Sequence, residues 1–301
     1  MRALVTGAGG FVGAHLVRHL EEQGDDVVQL ERTVDGVDIA DADALTDAVV
    51  AAKPEAVYHL AGAADVGGSW AEPRETFLAN ALGTLNVLEA GREAGAERVL
   101  AVTSADVYGR VTADELPLTE DRPLRPVSPY AASKVAADAL AQQAWLGHRL
   151  PVIRVRAFNH LGPGQSDRFV APSLAARIAR NERDGGDEVP IGNTTPQRDV
   201  TDVRDVVRAY RLLIETGEPG AVYNVCSGHA VSVQAIADAL LAMAARPMRL
   251  VSDPALQRPV DIPVLVGDST RLRAATGWQP TIPLDETLAD VLADWRARLG
   301  C

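Results

Sequence analysis

Cysteine is nearly absent from this chain: Cys226 and Cys301 are the only two in 301 residues. A pair this far apart, without Cys-x-x-Cys spacing, supports neither a disulfide framework nor a zinc site. No metal is therefore expected. Basic residues are also short, with 29 Lys and Arg against 41 Asp and Glu and a net charge of −12. A nucleic-acid footprint needs a basic face, so nucleic acid is not an expected partner. An anionic small ligand is still compatible, because a few local arginines suffice to hold it. No uninterrupted apolar run reaches membrane length, and no membrane partner is expected. No signal peptide precedes the first apolar segment, Arg2-Ala3-Leu4-Val5, which leads to the expectation of a soluble cytoplasmic protein. Internal repeats and low-complexity segments are lacking as well. What is present is 47% hydrophobic and 23% charged residues, suited to one large domain or two closely joined ones.

Short apolar segments alternate with longer amphipathic ones. Strands are predicted at Ala3–Thr6, Asp26–Leu30, Ala56–Leu60, Arg98–Thr103 and Pro151–Arg156. Helices are predicted at Phe11–Gln23, Ala42–Ala52, Thr76–Ala94 and Tyr130–Trp145. This order implies an α/β fold with a parallel sheet and right-handed crossovers. After Arg156 the rhythm breaks. Asn159 to Gln165 reads as a loop, followed by helices near Pro172–Asn181, Asp202–Glu215, Val231–Ala245 and Leu284–Leu299, a strand at Val222–Val225, and a proline-bearing loop at Asp253–Asp261.

Gly7, Gly10 and Gly13 follow the first strand and enter the first helix. Such a turn, with Phe11 and Val12 inside it, suits a dinucleotide. The first glycine permits the tight turn and the second lets the backbone approach a pyrophosphate. The third lets helix and strand pack closely, while the helix N-terminus offers N–H donors. Glu31 ends the second strand, 18 residues after Gly13, where a carboxylate binds the adenosine ribose. Arg32 follows it, and an arginine can instead pair with a 2′-phosphate. The two neighbours point to different cofactors, and the expectation is NADP(H) over NAD(H). Asp38-Ile39 comes next; Asp38 could meet the adenine or be a plain solvated carboxylate.

Residues 128–134 read Ser-Pro-Tyr-Ala-Ala-Ser-Lys. Tyr130 and Lys134 are i and i+4, so a helix puts them on one face. A nearby ammonium favours phenolate, so a lowered Tyr130 pKa is expected. A tyrosine of this kind exchanges a proton with a hydroxyl or carbonyl. Ser104 leaves the end of a strand, and in an open parallel sheet the carboxyl ends line the ligand crevice. Ser104 is therefore expected beside Tyr130. Bland readings compete elsewhere. Asp199, Asp202 and Asp205 could cap a helix, Arg198 and Arg258 could be surface ion-pair partners, His59 is expected to be structural, His160 to hydrogen-bond within its loop, and Trp70 either to flank a ligand or to pack.

Together, Gly7-x-x-Gly10-x-x-Gly13, Ser104 and Tyr130-x-x-x-Lys134 resemble the extended short-chain dehydrogenase/reductases that act on nucleotide sugars. His59-Leu60-Ala61, Asn80-x-x-Gly83-Thr84, Arg198-Asp199-Val200-Thr201-Asp202 and Tyr223-Asn224-Val225 extend the resemblance over the whole chain. Within that family, the segment Arg156 to Gln165, a strand at Gly192-Asn193, Asn224 to Gly228 and Arg258 to Pro263 look like the branch that reduces GDP-4-keto-6-deoxy-mannose to GDP-D-rhamnose. The resemblance implies a Rossmann-type doubly wound sheet with a smaller C-terminal α/β substrate-binding part. The cofactor part would span 1–160 and 195–228, and the substrate part 161–194 and 229–301. Leu60 and Ala61 would lie at the cofactor and Lys134 at its ribose. Asn159 would lie near the sugar and α-phosphate, Arg198 and Arg258 on the pyrophosphate, Asp261 on the nucleotide ribose, and Phe169 and Val170 by the base. The expected partner is a nucleotide sugar. Relatives pair the helices equivalent to Thr76–Ala94 and Tyr130–Trp145 into a four-helix bundle, so a homodimer is expected.

The two positions after Ser104 decide between chemistries. In that family a 4,6-dehydratase carries an extra acid and base there, and this chain has Ala105 and Asp106. Ala105 moves no proton, which favours simple reduction, with Asp106 near the substrate. A 4-epimerase retaining its NAD is the rival enzyme. A non-enzymatic NAD(P) sensor is the rival of another class, although such a protein would be expected to lose the Tyr/Lys pair.

Overall fold

The computed structural model describes residues 1–32, 36–256 and 262–301. From the amino end, β1 (Arg2–Thr6), α1 (Phe11–Glu22), β2 (Asp26–Leu30), α2 (Ala42–Ala52) and β3 (Ala56–His59) alternate. Then come α3 (Pro73–Phe77), α4 (Gly83–Glu93), β4 (Arg98–Val102), α5 (Pro129–His148) and β5 (Val152–Ala157). The second half holds β6 (Asn159–Leu161), α6 (Val170–Asp184), β7 (Glu188–Ile191), β8 (Gln197–Asp202), α7 (Val203–Thr216) and β9 (Val222–Val225). It ends with β10 (Ala230–Ser232), α8 (Val233–Ala242), β11 (Arg249–Ser252), β12 (Val264–Leu265), α9 (Thr270–Thr276) and α10 (Leu284–Leu299).

Six strands form one sheet in the order β2-β1-β3-β4-β5-β9, and every pair is parallel. β3, β5 and β9 are buried at every residue. Strands covered on both faces are buried along their length, and β5 carries two arginines, Arg154 and Arg156, into that interior. Helices on both faces supply the cover: α1 and α7 pack over Val5, Tyr58 and Val155, while α2, α4 and α5 pack over Leu4, Val57 and Val99. This is a Rossmann-type doubly wound α/β sheet. The direction of strand addition reverses between β1 and β3, so a crevice opens at their carboxyl ends.

Beside it, β8 pairs with β6, β10 and β12, and β7 pairs with β11. Helices α6, α8 and α10 bury Leu174, Ile178, Ile236, Leu240, Leu288 and Trp295 in a core of their own. On α10, Leu288, Val291, Leu292 and Trp295 recur at helical spacing and face this core.

Several sequence expectations are corrected. Asn159–Leu161 is a strand, because its backbone finds β8 as a partner. The Gly192-Asn193 pair lies just past β7 rather than in it. The helix expected over Val231–Ala245 begins at Val233, where Ser232 caps it by accepting from Ala235 N–H at 3.0 Å. The helix expected over Thr76–Ala94 is interrupted by a π-helical turn at Leu78–Leu82. Such a turn lodges one extra residue and re-aims a side chain. Here it contains Asn80, whose amide donates to Ala63 O at 3.1 Å and to Ser133 Oγ at 2.9 Å.

Candidate active site

One cleft of about 530 Å³ runs from the glycine turn to the second sheet. Gly7 has φ +71°, and a Cβ there would lie 2.8 Å from the Ala61 nitrogen. A Cβ on Gly13 would lie 2.0 Å from the Gly7 carbonyl oxygen. Glycine at these two positions is thus what lets the turn nest against the exit of β3 and against α1. Gly10 begins α1 without a side-chain cap. The first N–H groups of the helix, from Phe11, Val12 and Gly13, have no intrahelical acceptor and sit among the residues lining the cleft. A backbone cradle of this form fits a pyrophosphate.

At the end of β2, the Glu31 carboxylate accepts from Gly9 N–H at 3.1 Å. Arg32 is mostly exposed, and its guanidinium pairs with Asp38 at 3.4 Å. Asp38 also accepts from Ala40 N–H at 2.9 Å. Ile39 packs on Gly83, where a Cβ would lie 2.5 Å from Ile39 Cδ1, and its carbonyl accepts from Asn86 at 2.8 Å. Leu60 lines the cleft. Ala61 N–H donates to Thr6 Oγ1 at 3.3 Å.

Ser104 ends the β4 segment and caps a short 3₁₀ turn, Ala105–Tyr108, accepting from Asp106 N–H at 3.2 Å. Ser128 caps α5, accepting from Ala131 N–H at 3.1 Å, with Pro129 at the first helical position. Ser104 and Tyr130 both face the cleft, and the Ser104 hydroxyl lies near enough to the Tyr130 phenol to act on its pKa. Lys134, one turn on, donates to Val102 O at 3.3 Å. Ser104, Tyr130 and Lys134 are buried and line the cleft with Asp106.

The expected lowering of the Tyr130 pKa is not what this geometry produces. Burial drives it upward, the Asp106 charge adds to the rise, and only the Ser104 hydroxyl opposes it. Burial likewise lowers Lys134 to about 8. The lysine does not pull the phenol down, because its ammonium is turned to the Val102 carbonyl.

Towards the second sheet the cleft is lined by Asn159, Phe169, Val170 and Arg198. The Arg198 guanidinium donates to Ile262 O at 2.7 Å. Phe169 caps α6 and Val170 opens it. Arg258 and Asp261 lie outside the described residues. Two further arginines on the cleft, Arg168 and Arg177, were not anticipated. Arg168 directly precedes Phe169, and Arg177 stands two helical turns beyond Val170, so the α6 periodicity was the signal that would have placed Arg177. Arg177 also hydrogen-bonds Pro190 O.

The remaining candidates lie as follows. His59 is buried between Thr6 Oγ1 and Thr84 Oγ1, both at 2.9 Å, and burial takes its pKa down to about 3. His160 bonds Phe158 O at 3.0 Å and stacks on Phe11. Asp202 caps α7 through Arg204 N–H at 2.8 Å. Asp199 accepts from Ser227, Gly228 and Gly267, and Asp205 from Thr281 and Ile282. Trp70 is about half exposed in a 3₁₀ turn, and its neighbour Ser69 accepts from Tyr130 N–H at 3.3 Å.

Among the described residues, no helix is long and apolar enough to cross a membrane, and no group of three metal-ligating side chains converges. The chain is 38% identical over 300 residues to a GDP-6-deoxy-D-mannose reductase of Pseudomonas aeruginosa, covering 99% of this chain and 98% of that one. It is 32% identical to a UDP-glucose 4-epimerase of Mycolicibacterium smegmatis, covering 98% and 99%. Its fold superposes with a TM-score of 0.91 on RMD from Pseudomonas aeruginosa complexed with NADPH, at 36% identity over 99% of this chain and 100% of that one. Residues 3–226 match the model of the NAD dependent epimerase/dehydratase family, and the chain belongs to that family.

Proposed function

We propose that this protein uses NADPH to reduce the C4 ketone of an NDP-4-keto-6-deoxyhexose, specifically GDP-4-keto-6-deoxy-mannose to GDP-D-rhamnose. The observation that carries this reading is that Ser104, Tyr130 and Lys134 line the same cleft as the glycine turn. Whole-chain likeness to a GDP-6-deoxy-D-mannose reductase supports the choice of sugar nucleotide.

The residues present fit the cofactor. The N-terminus of α1 and the glycine turn would hold its pyrophosphate, with Leu60 and Ala61 beside it, and Lys134 would hold the nicotinamide ribose. Glu31, Arg32, Asp38 and Ile39 would receive the adenosine end, Arg32 taking the 2′-phosphate. Bound there, NADPH supplies the hydride that reduces C4. Ser104 would hydrogen-bond the ketone oxygen, and Tyr130 would give it the proton. A phenol pushed upward by burial keeps its proton at neutral pH, which is the form a general acid needs. Lys134, at about 8, is mostly cationic there and favours charge developing at the oxygen. Asn159, Arg198, Phe169 and Val170 would receive the nucleotide diphosphate, together with Arg258 and Asp261.

Ala105 supplies no proton-transfer group, so the chemistry stops at reduction, with Asp106 facing the sugar. We assign 1–160 with 195–228 to cofactor binding and 161–194 with 229–301 to the nucleotide sugar. We also infer a homodimer. Phe77, Leu78, Leu82 and Leu146 are exposed on the α3–α4 and α5 segments, and covering them in a four-helix bundle would bury an apolar patch. Sedimentation at micromolar concentration tests this, and a monomer refutes it.

The test of function is a panel of GDP-, dTDP- and UDP-linked 4-keto-6-deoxy sugars with NADPH, with products identified by NMR. GDP-4-keto-6-deoxy-mannose should be turned over with one NADPH consumed per 6-deoxyhexose formed. GDP-mannose with NADP should yield no 4-keto product. Tightly bound NAD and interconversion of UDP-glucose would favour the epimerase reading instead, and cofactor binding without turnover would favour the sensor.

A further inference from the structure

Behind the cleft wall a charged network runs through the interior. Asp138 lies on α5, one turn past Lys134 and two past Tyr130. Its carboxylate accepts from Arg154 at 2.8 Å and from Arg156 Nε at 3.0 Å. Arg156, on β5, turns its other arm to Tyr108 Oη at 3.2 Å and to Glu120 O at 2.8 Å. The Tyr108 hydroxyl in turn donates to Asn224 Oδ1 at 2.7 Å. Asn224, on β9, donates its N–H to the Glu120 carboxylate at 2.8 Å. All six side chains are buried.

Tyr108 closes the same 3₁₀ turn that Ser104 opens. One unbroken run of hydrogen bonds therefore joins the helix carrying Tyr130 and Lys134 to the turn carrying Ser104. A buried ion pair of this kind is costly to desolvate and contributes little net stability. What it does well is set geometry, because the guanidinium fork engages carboxylate and phenol at once at fixed angles. We propose that Arg156, bridging Asp138 and Tyr108, is a positioning residue that sets the approach of Ser104 to Tyr130. This rests on the reductase reading for its rate effect, but not for its structural effect.

The test replaces Tyr108 with Phe, which preserves buried volume and removes the bridge. Arg156→Lys serves as the second variant, since a lysine can reach Asp138 or Tyr108 but not both. The protein is labelled with tyrosine carrying ¹³C at Cζ, and the Tyr130 resonance is assigned by its loss in Tyr130→Phe. In Tyr108→Phe the Tyr130 resonance should shift, because the Ser104 hydroxyl moves relative to the phenol. kcat should fall about 10- to 100-fold, as expected for a misplacement near 1 Å. NADPH affinity, read by fluorescence, should stay within about twofold, because the α1 cradle is outside the network. Arg154→Met breaks only the arm that does not reach Ser104, so it should lower the melting temperature and leave the Tyr130 resonance in place. A folded Tyr108→Phe or Arg156→Lys with a wild-type Tyr130 resonance overturns the proposal. A wild type that reduces no 4-keto sugar refutes the functional reading alone, and the resonance still decides the positioning role.

Discussion

Lys134 donates its ammonium to the carbonyl oxygen of Val102 at 3.3 Å, tying the second turn of α5 to the last residue of β4. Its neighbour on the helix face, Tyr130, is thereby held at the strand end from which Ser104 emerges. The two side chains divide their tasks, and substitution should separate them. Tyr130→Phe should reduce kcat by about 10²–10⁴-fold, the usual worth of a positioned general acid, while NADPH binding changes little. Lys134→Met should damage both rate and NADPH affinity. Near-normal reduction by Tyr130→Phe, measured by NADPH consumption at saturating substrate, would contradict the mechanism.

Lys134 also predicts a dependence of stability on pH. Burial lowers its folded pKa to about 8, against 10.5 for a solvated lysine. Between those values the unfolded chain binds the proton more readily than the folded one, so this group makes stability rise with pH across that window. Below about pH 8 its desolvation cost is fully present. The melting temperature of cofactor-free wild type, relative to Lys134→Met, should therefore increase from pH 8 towards 10. A constant difference would show that Lys134 is not held in this state.

Arg32 should govern the choice of cofactor. It is mostly exposed and held by Asp38 at 3.4 Å, so its pairing with a 2′-phosphate is partly screened. Arg32→Ala should weaken NADPH by about tenfold and NADH hardly at all. Titration of each cofactor by fluorescence checks it. Equal losses would refute the pairing, and an initial preference for NADH would move the assignment to Glu31.

Gly13→Ala should disable the turn, because the new Cβ falls 2.0 Å from the Gly7 carbonyl oxygen. Backbone must move to relieve it, at a cost of about 1–3 kcal/mol, and the same movement distorts the pyrophosphate cradle. Both melting temperature and cofactor affinity should drop. Gly24→Ala is the contrast. Its φ is +81° but nothing lies within 4 Å of the added Cβ, so it should lose some stability and keep cofactor affinity.

The glycine triad and the Tyr130–Lys134 pair were legible because each is a short-range pattern whose spacing alone sets its geometry. The parallel sheet was legible through its doubly buried strands. β6, β7, β8 and β11 were not, since short strands with mixed composition become strands only when a partner edge is present. The π turn at Leu78–Leu82 was hidden for a related reason: its cause is Asn80 bonding to Ala63 and Ser133, 17 and 53 residues away. Arg177 shares the face of Val170 by helical spacing, but only the packing of α6 turns that face to the cleft.

By itself, then, the sequence determined the alternation of strands and helices, the cradle at the start of α1, and the shared face of Tyr130 and Lys134, all of which depend on neighbours within a few residues. Tertiary structure alone decided that burial and the Asp106 charge set the direction of the Tyr130 pKa, and that Arg156 joins Asp138 to Tyr108. Those outcomes depend on which surfaces lose water and which distant segments come within hydrogen-bond reach, and both are properties of the packed chain.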